Sequence, residues 1–86
     1  MTIKYILIRT DFGNICDGLA RISYMRNTYA EVYNKMKADV EAYIKANQGK
    51  LNTEITKEND THILIGNEQD GCQWQILELE VSNDKL

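Results

Sequence analysis

From Thr28 to Gly49 the chain carries one capped amphipathic helix, and no other stretch repeats its spacing. Thr28-Tyr29-Ala30-Glu31 has the form of a capping box, in which the threonine hydroxyl accepts from the Glu31 N–H while the carboxylate reaches back to the threonine N–H. Tyr29, Val32, Tyr33, Met36, Val40, Tyr43 and Ile44 then recur at steps of three and four, which aligns them on one apolar face. Gly49, after Asn47 and Gln48, predicts a left-handed residue closing the helix. On the polar side Glu31 precedes Lys35, and Glu41 precedes Lys45, by four residues, so we expect two favourable pairs of about 0.2–0.5 kcal/mol each. A solitary helix cannot bury its own apolar stripe, so the remaining residues have to supply a second layer.

That layer reads as strands. Ile3 to Arg9 is apolar and β-branched on both parities, as in an interior strand with both faces at least partly covered. Residues 10 to 18 mix Gly13 and Gly18 with Asp11, Asn14 and Asp17, which predicts an ordered loop, and Ala20 to Met25 then alternates as a second strand hairpinned to the first. After the helix, Leu51, Thr53 and Ile55 predict a half-buried strand, Lys57 to Asp60 a turn, and Thr61 to Ile65 a fourth strand. Asn67 to Gly71 reads as a turn with Gly71 at positive φ, and Cys72 to Val81 as the last strand. In that strand Cys72, Trp74 and Ile76 share one parity while Leu77, Leu79 and Val81 share the other. Either a bulge near Ile76 or a change of buried side is required.

The order ββαβββ, with no proline or repeat to mark a linker, predicts a single α+β domain over residues 1–86: a two-layer sandwich with one long helix on a mainly antiparallel five-stranded sheet. One helix covers one side of such a sheet. Large apolar residues on both parities of the first, fourth and fifth strands therefore leave some without cover, and Tyr5, Ile6, Ile8, Leu64 and Trp74 are the candidates for an apolar partner-binding face.

Charge is unevenly placed: residues 1–50 carry eight basic and five acidic side chains, residues 51–86 two basic and eight acidic. Glu58, Asp60, Glu68 and Asp70 are the candidates for an acidic partner-binding surface, while the acidic half and the overall charge of −3 argue against direct nucleic-acid binding despite the tyrosines and Arg9, Arg21 and Arg26. No apolar run is long enough for a membrane span, and Met1 to Lys4 leads into a strand rather than a signal peptide, so we expect a cytoplasmic protein with free thiols at Cys16 and Cys72 and an unused sequon at Asn59.

Catalytic groupings are sparse. Asp11-Phe12-Gly13 lacks the glycine-rich loop, lysine and aspartate that give those letters meaning in kinases. His62, with Cys72, Cys16 and Asp70, shows no metal-ligand spacing, so we expect no metal, no cofactor and no enzymatic activity. The leading expectation is a small non-enzymatic protein-binding module, regulatory or inhibitory, that self-associates through the uncovered sheet face. One alternative is an inhibitor of the kind phages and mobile elements use against host defence, presenting its acidic surface to a nucleic-acid-binding protein. The other is a small enzyme or metal-binding protein using His62 and Cys72.

Overall fold

The computed structural model describes residues 2–13, 17–49, 53–67 and 70–81. Its elements follow in the order β1 (Thr2–Phe12), β2 (Asp17–Arg26), α1 (Tyr29–Ala46), β3 (Ile55–Glu58), β4 (His62–Asn67) and β5 (Asp70–Val81). All five strands join one antiparallel sheet, ordered β2-β1-β5-β4-β3, with α1 across one side: an α+β arrangement. The two longest strands, β1 and β5, lie together at its centre and pair from Thr2↔Val81 to Phe12↔Gly71 without a register shift.

The helix begins as its cap predicts. The Glu31 N–H donates to Thr28 Oγ1, although the Glu31 carboxylate returns to the threonine hydroxyl rather than to its N–H. Val32, Met36 and Val40 are its buried residues, and Gly49 has φ +84°. The expected polar-face pairing is rearranged: Lys35 meets Asp39 at 2.9 Å, and Glu31 lies 4.0 Å from Arg26 at the end of β2.

Under the helix, Leu7, Ile63, Ile65, Cys72, Trp74 and Ile76 close the core with Val32, Met36 and Val40, and Tyr5, Tyr24, Tyr29, Tyr33, Tyr43 and Ile44 pack around them. Register explains the set. Leu7 sits between Tyr24 and Ile76, and Trp74 between Arg9 and Ile63, so strand side chains of one parity form continuous rows beneath α1.

Three sequence expectations are corrected by this register. β3 begins at Ile55 and occupies part of the expected turn, and all four of its residues are exposed; Leu51 lies outside the described residues. Positive φ falls on Gly66 (+78°), not Gly71. What requires glycine at Gly71 is closeness, since a Cβ there would stand 2.0 Å from the Ile65 carbonyl oxygen. The loop expected at 10–18 is shorter, because β1 runs on to Phe12 and β2 starts at Asp17; Cys16 lies outside the described residues. The parity change in β5 involves no shift against β1. Cys72, Trp74 and Ile76 face the helix, and Leu77 and Leu79 face the other way.

Candidate functional site

The side of the sheet away from α1 is built from the alternate residues of the same strands. Across it, Met25, Ile6 and Leu77 form one row, Ile22, Ile8, Gln75 and His62 the next, and Ala20, Thr10, Gln73 and Leu64 a third, with Lys4 and Leu79 continuing at the β5 end. A register shift after Leu7 leaves Ser23 without an opposite number. That shift keeps both Ile22 and Met25 on this face although they are three residues apart.

Ile22, Met25, Leu77 and Leu79 are 64, 45, 49 and 46% exposed. Ile6 is only 9% exposed, shielded by Met25 on one side and Leu77 on the other rather than by the helix core. Between Ile8 and Ile22 the small Ala20 side chain leaves a shallow depression of about 170 Å³. Toward β4 the face turns polar: His62 Nε2 lies 2.7 Å from Gln73 Oε1, and Gln73 Nε2 donates to Gln75 Oε1 at 3.3 Å.

Charge is sorted between the two sides. The rows from Lys4 and Leu79 to Ala20, Thr10, Gln73 and Leu64 contain no carboxylate; the cations of this face are Lys4, which donates to Asn27 Oδ1 at 2.6 Å, and Lys57, opposite Leu64. The helix side holds the ion pairs. Arg9 and Arg21 each approach the Asp11 carboxylate at 3.1 Å, and the Arg9 guanidinium stands 5.4 Å from the Trp74 ring centroid and 5.8 Å from that of Tyr43. The Cys72 thiol donates to Asp11 Oδ1 at 3.3 Å. Burial pushes that thiol up to about 12, and the hydrogen bond to Asp11 reinforces the shift while Arg9 opposes it. A buried thiol held protonated in this way is not a nucleophile at neutral pH.

The candidate residues therefore divide. Ile6, Ile8 and Leu64 lie on the uncovered face, with Leu64 set apart beyond Gln73. Tyr5 and Trp74 lie on the opposite side: Tyr5 meets the Tyr29 ring edge-on at 6.1 Å, and fully buried Trp74 meets Tyr43 edge-on at 5.6 Å. Their places are taken by Ile22, Met25, Leu77 and Leu79, which the sequence reading missed. The clue to β2 was the run from Ala20 to Met25, which alternates only if one residue is allowed to bulge.

The acidic candidates do not converge. Glu58 bonds Lys37 at 2.9 Å, and the Asp60 carbonyl accepts from the Tyr29 hydroxyl at the β3–β4 turn, whereas Asp70 sits at the far end of β4, opposite Asn67. Glu68 lies outside the described residues. His62 and Cys72 are on opposite faces of the sheet, so the two cannot act as a base and nucleophile or share an ion. No cluster of three His, Cys, Asp or Glu side chains suited to a metal occurs among the described residues, and no described helix is long and apolar enough to cross a membrane.

Compared with known proteins, the chain matches no family model, and neither a curated protein nor a solved structure shows significant similarity to it.

Proposed function

We propose that the chain is a non-enzymatic protein-binding module that pairs with a second copy of itself through the uncovered face of its sheet. The observation that carries this reading is the gathering on one face of exposed Ile22, Met25, Leu77 and Leu79 in rows that contain no carboxylate, in a chain whose net charge is −3. Two copies can bring these apolar rows together without burying an acidic group, which would be costly to leave unpaired. Strands about 4.8 Å apart and about 3.3 Å per residue give this face an area on the order of 700 Å², near the roughly 800 Å² one partner contributes to a standard-size interface. The dent at Ala20 offers a hole for an apolar knob from the facing sheet. A reducing, cytoplasmic setting belongs to the same reading and is supported by the free buried thiol of Cys72.

Sedimentation at roughly 100 µM, where a standard-sized interface of micromolar affinity is saturated, is expected to show a species of twice the chain mass. Ile22→Lys combined with Leu77→Lys should reduce it to one chain with the helical circular-dichroism signal retained. Ile55→Lys, which charges an exposed apolar side chain outside this face, should leave it paired. A wild-type chain that sediments as a single copy overturns the reading.

A further inference from the structure

The sheet has one unbulged edge, from Leu77 to Val81 of β5, that no described strand covers. β4 ends its pairing with β5 at His62↔Gln75, and the last bond on that side runs from the Ile76 N–H to the Thr61 carbonyl at 2.8 Å. In a strand the N–H and C=O of one residue point the same way and those of the next residue point oppositely. Ile76 points toward β4, so the N–H and C=O of Glu78 and Glu80 point to that side too, where no described strand stands. Those of Leu77 and Leu79 point to β1.

The other two edges are blunted. β3 has four residues and a register shift, and β2 is bulged twice against β1. β5 carries neither device between Leu77 and Val81, since its register against β1 is unbroken. Its side chains there alternate Leu77 and Leu79 on the uncovered face with Glu78 and Glu80 on the other. This pattern selects among occupants. In an antiparallel pairing with a second copy of the same edge, Ile76 is already engaged by Thr61, so the residues left to exchange hydrogen bonds are Glu78 and Glu80, and each register that engages both sets carboxylate against carboxylate. The edge repels its own kind.

We infer that the edge of β5 from Leu77 to Val81 is a strand-addition site for an extended segment of another protein in which basic residues alternate with apolar ones. Lysine or arginine of that segment stands opposite Glu78 and Glu80, and its apolar residues continue the row of Leu77 and Leu79. Main-chain bonds to the two glutamates hold it, and the alternation fixes its register. The site shares the Leu77 and Leu79 side chains with the self-association face, but its main-chain groups take no part in that contact.

The probe is a capped seven-residue peptide of alternating lysine and valine, titrated against the wild-type chain and against an Ile22→Lys, Met25→Lys variant, whose substitutions lie on β2 away from this edge. It should bind the wild type and shift the amide resonances of Glu78 and Glu80. N-methylation of its lysine amides, which face the edge, should weaken binding roughly tenfold or more through lost main-chain bonds. N-methylation of its valine amides, which face away, should not, although charge and composition are identical. Glu78→Lys with Glu80→Lys should transfer preference to a glutamate–valine peptide. Equal weakening by both methylation patterns, or no saturable binding by the unmethylated peptide, overturns the proposal and leaves the glutamates as guards against aggregation. A monomeric wild type that still distinguishes the two methylated peptides removes only the self-association reading.

Discussion

Cys72 shows how one residue's surroundings set its chemistry. It is buried in the core, donates to Asp11 and ionises only near 12. In the unfolded chain the same thiol ionises near 9, so between about pH 9 and 12 the unfolded state gives up its proton while the folded state keeps it. Unfolding is favoured as pH rises through that window, and below it the group contributes no slope. Urea titrations at pH 8, 9 and 10 are expected to show wild type losing more stability than Cys72→Ser over this range; equal losses would contradict the assignment. Little of this was legible in the sequence. Cys72 and Asp11 are 61 residues apart, and their meeting depends on the β1–β5 register, which no local pattern specifies. The same limit accounts for Tyr5 and Trp74: β1 is apolar on both parities, so the sequence offers no means of deciding which parity the helix covers.

At the scale of elements, local chemistry was readable and long-range placement was not. The helix start follows from Thr28 and Glu31 alone, and its bonds form within three residues. Thr28→Ala removes the acceptor of the Glu31 N–H and is expected to cost about 1 kcal/mol in chemical denaturation. β3 escaped at its correct position because its four exposed residues are held by backbone pairing and by Thr56, whose hydroxyl donates to the Gly66 carbonyl at 2.9 Å. A strand without a buried face leaves no alternation to detect. Gly71 was noticed for the wrong reason. Its constraint is the approach of the Ile65 carbonyl, so Gly71→Ala should destabilise by about 1–3 kcal/mol, as overpacking does, with disturbance of the β4–β5 amide resonances. An alanine variant as stable as wild type would remove the close approach.

The whole molecule measures 50 × 25 × 18 Å, and the two proposed contacts meet at Leu77 and Leu79, one through the sheet face and the other through the strand edge. Their response to salt separates them. Copies of net charge −3 repel at a distance while the apolar rows that meet contain no carboxylate, so added sodium chloride screens repulsion and should tighten self-association. Strand addition at Glu78 and Glu80 relies on opposite charge and should weaken over the same range. Sedimentation and peptide titration at 50 mM and 500 mM salt test both directions. That one helix takes one side of the sheet was legible from the element count; the grouping of Met25, Ile6 and Leu77 on the other side emerged only once register had assigned these residues a side.

Trp74 gives the chain a built-in optical gauge. It is the sole tryptophan, wholly enclosed between sheet and helix beside Tyr43 and Arg9, with no acceptor for its indole N–H among the described residues. Its fluorescence therefore reports lifting of the helix by a red shift as water reaches the ring, and stays dark to events on the far side of the sheet.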